Sequence, residues 1–232
     1  MEENPLNTVD QNLINYLGQY ITQHKKEVME RVLSHRTRFF TVVLEDIFKP
    51  HNASAVLRTC DCFGIQDVHV IEKTKEYKVN PFVTRGASQW VDLYKYHNPD
   101  GSGVQECFSA LRRKGYKILA TSPVDNSISI SDLNPNEKIA LVFGNEHEGV
   151  SKEVIQQADG LVHIPMFGFT ESFNISVAAS LFLQHLIQSD EVKKNPAYYL
   201  TEKEKNDLRL QWYKSVVKNS AIHEKAFFQG NK

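Results

Sequence analysis

The chain has 232 residues, of which 41% are hydrophobic and 24% charged, the composition of a folded protein with room for a sizeable core and not of a disordered one. Lys and Arg number 27 against 28 Asp and Glu, a formal net charge of -1, which excludes an indiscriminate polycation of the kind that coats nucleic acid. No apolar run reaches the roughly 18 residues of a membrane-spanning helix, and the polar, acidic start has neither the basic nor the apolar region of a secretory signal.

In chain order, Leu13, Ile14, Leu17, Tyr20, Ile21, Val28 and Val32 recur at helical spacing, so Thr8–Leu33 reads as a helical arm. From about Phe39 to Gln188, short β-branched runs alternate with helical patterns. Strands are expected at Phe40–Ile47, Asp67–Ile71, Val91–Tyr96, Tyr116–Thr121, Lys138–Phe143 and Leu161–Pro165. Several are almost wholly apolar, as strands of a parallel sheet covered on both faces should be. Helices are expected at Ala53–Phe63, Val104–Lys114, Lys152–Gln157 and Ile175–Ile187, with Gly64 and Gly115 where a helix would be closed by glycine. Beyond Asp190, Thr201–Gln211 and Tyr213–Phe228 read as helices, and Thr201-Glu-Lys-Glu204 has the form of a capping box. The alternation argues an α/β fold with a parallel sheet. It divides the chain into a helical arm (1–38), a central domain (39–189) and a helical extension (190–232).

Cys60, Cys62 and Cys107 make no disulfide framework and no C-x-x-C pair, so a reducing, cytoplasmic setting is expected. His147 between two glutamates reads as a solvated loop, and no metal site is expected.

Three stretches are more polar than a strand–helix junction requires, and all three follow expected strands. In Lys49-Pro-His-Asn52-Ala-Ser-Ala-Val-Leu-Arg58, Pro50 and Asn52 open a helix, with Asn52 suited to cap it and Arg58 falling inside it. In Phe143-Gly144-Asn145-Glu146-His-Glu-Gly149-Val150-Ser151, two glycines have the gap of a phosphate loop, but Val150-Ser151 stands where such a loop needs Lys followed by Ser or Thr. In Ile164-Pro-Met166-Phe-Gly168-Phe-Thr-Glu-Ser172-Phe173-Asn174-Ile-Ser176, a polar loop leads into a helix with Ser172 or Asn174 as its cap. Open α/β sheets bind ligands at the carboxyl ends of their strands, where these stretches lie. No G-x-G-x-x-G follows an expected strand, which removes a dinucleotide oxidoreductase from consideration.

Taken together, the three stretches resemble the ordered motifs of the SpoU/TrmH family of RNA ribose 2'-O-methyltransferases, within the SPOUT superfamily. They match as Asn52…Arg58, Phe143-Gly144-Asn145-Glu146…Gly149 and Ile164-Pro165-Met166-Gly168…Ser172-Asn174-Ser176-Ala178. The resemblance covers roughly residues 40 to 187. The extended first motif, Lys49-Pro50-His51-Asn52-Ala53-Ser54-Ala55, the short arm and the charged tail are similar to the tRNA-directed members that methylate the D-loop guanosine at tRNA position 18.

The resemblance implies a SPOUT-type parallel sheet flanked by helices, with a deep trefoil knot in its C-terminal part and helical extensions at both ends. It implies S-adenosyl-L-methionine as cofactor, held around Thr121, Gly144, Ile164, Met166 and Phe173. Phe173 departs from the leucine common in the family and still supplies apolar wall. It implies Arg58, Asn52, Glu146, Ser172 and Asn174 as the catalytic group, and a homodimer joined through the knot region. A guanidinium is a poor base at neutral pH, so Arg58 is expected to be essential while its role as base or orienter stays open. A 23S rRNA methyltransferase with the same core is the alternative in this class, and a non-catalytic RNA-binding scaffold the alternative outside it.

Divided by segment, the charge is informative. Residues 1–38 are neutral, 39–189 carry 13 basic against 17 acidic side chains, and 190–232 carry nine against six. Arg36, Arg38, Lys49, Lys193, Lys194, Lys203, Lys205, Arg209, Lys214 and Lys218 are therefore the positions expected to meet tRNA phosphates.

Overall fold

The computed structural model describes residues 8–47, 49–73, 84, 86–97, 102–123 and 126–230. In chain order these form α1 (Thr8–Gly18), α2 (Gln23–Leu33), β1 (Phe40–Glu45), α3 (Pro50–Cys62), β2 (Asp67–Glu72), β3 (Asp92–His97), α4 (Gly103–Arg113), β4 (Lys117–Thr121) and β5 (Ile128–Ser129). They continue with β6 (Ile139–Phe143), α5 (Lys152–Gln157), β7 (Gly160–His163), α6 (Ile175–Gln188), α7 (Asp190–Lys194), α8 (Glu202–Val216) and α9 (Ser220–Gly230). The chain divides into two compact units, one of residues 37–198 and one that joins 1–36 to 199–232.

The larger unit holds a seven-stranded sheet in the order β3-β2-β1-β6-β4-β7-β5, with every pairing parallel. Side chains alternate across a strand, and here the alternation builds two cores. Val42 and Leu44 of β1, Leu119 of β4 and Leu141 and Phe143 of β6 pack with Leu57 of α3 and Phe182 and Leu186 of α6. Val43, Ile118, Ala140 and Val142 face the other way, onto Phe108 and Leu111 of α4 and Val154 of α5. Burial of each Leu, Val or Phe side chain contributes about 1.5–3 kcal/mol, so both faces of the central strands had to be apolar, as their sequences are. Gly64 and Gly115 follow α3 and α4 with φ of 74° and 80°, the left-handed turn that a helix end adopts at little cost only with glycine.

Strand boundaries shift by one or two residues from those expected, β2 and β3 ending one residue later and β1 and β7 two residues earlier. β1 stops at Glu45, where Asp46 turns to φ 51°, and β7 at His163, after which Ile164-Pro165 leaves the sheet. The two-residue β5 was beyond reach of pattern reading. The arm is two helices and not one, since Thr22 breaks it and accepts a hydrogen bond from the Lys25 amide at 3.4 Å. In the tail, Trp212 and Tyr213 are buried within α8, and the break comes at Val217–Asn219, with Asn219 at φ 59°. Thr201 and Glu204 form the expected reciprocal cap. The arm and the tail thus share one unit, while α7 groups with the sheet. No helix among the described residues is long and apolar enough to cross a membrane.

Candidate active site

The three polar stretches meet at the carboxyl ends of β1, β6 and β7. Pro50 occupies the first turn of α3, where its missing N–H is not needed. The residue preceding it, Lys49, is the N-cap and caps nothing through its side chain. The expectation that Asn52 caps this helix is therefore corrected. Asn52 is buried, and its amide is used across the site: Nδ2 donates to Glu146 Oε1 at 2.6 Å, and Oδ1 accepts from Asn174 Nδ2 at 3.2 Å. Asn174 Oδ1 in turn accepts from the Ser176 amide at 2.9 Å and its hydroxyl at 2.7 Å, which makes Asn174 the N-cap of α6.

The polarity of this chain is forced. A carboxylate only accepts and a backbone N–H only donates. With Glu146 at one end and the Ser176 amide at the other, each asparagine has one orientation that satisfies both neighbours. The relay fixes the start of α3, the loop after β6 and the start of α6 relative to one another. Glu146 Oε2 is buried and, among the described residues, unpartnered.

Arg58 lies further along α3, exposed, with no hydrogen bond or ion pair among the described residues. His51, Ala55, Arg58, Thr59 and Cys62 fall at helical three- and four-residue spacings on one face of α3. Facing them are Ser176, Val177, Ser180 and Leu181 of α6, and between the helices lies an open groove of about 570 Å³. Thr59 and Ser180 hydroxyls approach to 3.4 Å, and Ser180 donates back to the Ser176 carbonyl at 2.8 Å. The groove therefore has apolar walls, a polar floor and one free guanidinium. Ser172, grouped with these residues from its motif, lies exposed and makes no hydrogen bond among the described residues.

The loop after β6 closes on itself. Asn145 and Gly149 exchange backbone hydrogen bonds at 3.1 Å in both directions, and Asn145 Oδ1 accepts from the amides of His147 and Glu148 at 3.0 and 2.8 Å. A Cβ on Gly144 would stand 1.9 Å from Gly149 backbone atoms, so this position admits no side chain. Thr121 ends β4 with its hydroxyl on the Val142 carbonyl at 3.0 Å. Ile164 and Met166 are half-buried, while Phe173 is 42% exposed.

Three further residues hold this region and were not singled out from sequence. Glu45, 2% exposed, accepts from the Ser151 amide at 2.8 Å and the Ser151 hydroxyl at 2.6 Å, and pairs with Lys73 at 2.8 Å. Burial works against the Lys73 ammonium, but Glu45 and Glu153 hold its pKa above the ordinary lysine value. Ser151 also caps α5 through the Val154 amide. The available signal was a carboxylate at the end of an otherwise apolar strand.

The structure corrects part of the phosphate-contact set. Arg36 is 1% exposed and lies over the Trp212 ring at 5.5 Å. Arg38 is bonded to Asp67 at 2.8 Å and Asp92 at 2.6 Å, and Arg209 grips Glu30 through two nitrogens. These guanidiniums are committed to protein partners. Lys203, Lys205, Lys214 and Lys193 pair with Asp207, Glu202, Glu224 and Asp190. Lys49, Lys194 and Lys218 are exposed with no ion pair among the described residues.

Comparison with known proteins decides the lineage. Residues 40–184 match the SpoU rRNA Methylase family. The chain belongs to that family. A tRNA (guanosine(18)-2'-O)-methyltransferase of Borreliella burgdorferi is 46% identical over 206 residues, covering 89% of this chain and 92% of the relative. The enzyme of the same name from Aquifex aeolicus is 31% identical, covering 86% and 94%. The crystal structure of an A. aeolicus TrmH/SpoU tRNA modifying enzyme superposes with a TM-score of 0.73 at 30% identity, covering 84% of this chain and 98% of that one. The SpoU domain thus accounts for the sheet and all three polar stretches.

Proposed function

We propose that this SpoU-family chain transfers a methyl group from S-adenosyl-L-methionine to the ribose 2'-oxygen of the D-loop guanosine at position 18 of tRNA. The observation that carries the reading is the free guanidinium of Arg58 in a groove whose walls are locked by the Asn52–Glu146–Asn174 relay. Two relatives that carry this activity in their names, at 46% and 31% identity along nearly their whole length, supply the substrate.

The residues present fit the cofactor. The Gly144–Gly149 loop is closed so tightly on its own backbone that its path after β6 is fixed, and the spare oxygen of Glu146 is a buried acceptor awaiting a donor. Thr121, Gly144, Ile164, Met166 and Phe173 would hold it. When bound, it supplies an electrophilic methyl on a good leaving group.

The protein then has to align and orient. The fork of five N–H donors on Arg58 suits a phosphate flanking the target ribose better than it suits the part of a base. Asn52 and Glu146 hold the helix that carries it, and Asn174 holds the opposite wall. Ser172 lies on the segment that leads into that wall. Lys49, Lys194 and Lys218 would meet further phosphates, with Lys193, Lys203, Lys205 and Lys214 contributing after exchange of their surface partners, which are worth little in water.

The segments 144–151 and 164–174 would form the deep trefoil knot, and two copies would make the working enzyme. Phe167 and Phe169, 98% and 109% exposed, are suited to an interface there. The cytoplasm, where tRNA is processed, would be its place.

Incubation with labelled S-adenosyl-L-methionine and either bulk tRNA or rRNA tests the reading. Label enters tRNA on this account. Incorporation into rRNA alone would overturn the tRNA assignment and favour the rRNA-directed alternative.

A further inference from the structure

We propose that the unit formed by residues 1–36 and 199–232 carries a stacking platform for unpaired nucleobases of the RNA substrate, separate from the methyl-transfer groove. This rests on the reading that the substrate is tRNA. Five rings from α1, the turn after it and α9 form one connected assembly. Tyr16 meets Tyr20 edge-on at 5.8 Å and Phe227 at 5.4 Å, Tyr20 lies 4.0 Å from the His223 ring at 38°, and Phe227 meets Phe228 at 5.2 Å. His223 and Phe227 are four residues apart on α9 and share a helical face, while Tyr16 and Tyr20 meet across the end of α1.

Rings assembled only for packing would be covered, as Trp212 of the same unit is at 1% exposure. Instead Tyr20 is 49% and Phe228 48% exposed. A single exposed apolar side chain needs no explanation, whereas a connected aromatic surface does.

Charge selects the occupant. Four carboxylates of this unit are engaged by cations, Glu30 by Arg209, Asp207 by Lys203, Glu202 by Lys205 and Glu224 by Lys214, while Glu27 accepts from Gln23. Asp10 lies toward the opposite end of α1 from Tyr16. Lys25, Lys26, Lys218 and Lys225 make no ion pair among the described residues. The Lys26 ammonium stands 3.7 Å from where a Cβ on Gly18 would be, between the two tyrosines in sequence. Lys218 sits in the turn that opens α9, whose His223 amide bonds back to Asn219.

Part-exposed aromatic rings in a unit that also carries ammonium groups without ion pairs are what unstacked nucleotides require: rings for the bases and cations for the phosphates between them. Duplex RNA offers no free base faces, so the platform selects loop nucleotides. This is recognition the groove does not provide.

Binding to a tRNA transcript and to an RNA duplex of equal length tests this, using the full chain with Tyr20→Leu, Phe228→Leu and Tyr20→Trp. Loss of one ring should weaken tRNA binding about tenfold and leave duplex binding unchanged, while Tyr20→Trp binds tRNA as wild type does. Phe228→Leu lies near the chain end and reads the platform even if Tyr20→Leu does not fold. Equal loss on both RNAs, no loss on either, or a leucine variant that changes only self-association would overturn the proposal. The assay needs no methyl transfer. Failure of the wild type to methylate tRNA would therefore count against the functional reading, and an unchanged RNA preference in the variants against the platform.

Discussion

The two ends of α3 are treated oppositely. Its first turn is anchored by buried Asn52, whose side-chain nitrogen and oxygen are both engaged, with partners drawn from two other stretches of chain. Two turns later the same helix presents Arg58 to the open groove with no protein partner among the described residues. The contrast separates holding from acting. A residue that fixes the site must be satisfied within the protein, because an unmade buried hydrogen bond is expensive. A residue that touches substrate must be left unsatisfied until substrate arrives.

Arg58→Ala should break the acting end alone. Methyl transfer is expected to fall roughly 10²- to 10³-fold, the scale of losing one oriented electrostatic contact at a reacting centre, while the melting temperature stays within the scatter of ordinary surface substitutions. Steady-state turnover and a thermal melt on the same preparation check both halves. A large loss of stability would place Arg58 with the holding residues.

Asn52→Ala should break the holding end, costing about 1–3 kcal/mol by stranding Glu146 and Asn174 and lowering turnover with it. Asn52→Asp sharpens the point. It sets two carboxylates at hydrogen-bond distance, which disfavours both being ionised. Its stability deficit in urea titrations should narrow as the pH is lowered and one shared proton restores a donor.

The effect that is smallest at neutral pH, because it appears only in acid, comes from a part of the sheet unit outside both ends. His69 of β2 is 1% exposed and stacks on Tyr94 at 4.9 Å, with Nδ1 2.9 Å from the Tyr96 hydroxyl. Burial, and then Lys114, push its pKa down to about 3. The unfolded chain takes up this proton below about pH 6.5 while the folded chain refuses it, so stability falls as pH falls through that window. The loss accumulates between roughly pH 6 and 3. His69→Phe should remove that slope in acid titrations and leave Arg58 chemistry at neutral pH unchanged.

Much of this was legible from the chain. The sheet was, because Val42, Val43 and Leu44 or Ala140, Leu141 and Val142 admit no exposed face. The three site stretches were, because Pro50, Gly144 and Asn174 each serve a local backbone need that also marks a strand end. What escaped depends on distant partners. An asparagine near a helix start reads as a cap, yet Asn52 spends its amide on Glu146 and Asn174. Arg36 and Arg38 read as available cations until Trp212, Asp67 and Asp92 are brought beside them by the fold. Helical periodicity could place the arm and the tail as helices, but it carries no information that Leu17 and Trp212 are buried in one unit.

The central claim is the atom that receives the methyl group. A tRNA transcript carrying 2'-deoxyguanosine at position 18, compared with the all-ribose transcript, measures it directly. The account predicts stoichiometric label in the ribose transcript and none in the deoxy one, with both bound equally well. Equal labelling of the two would contradict it.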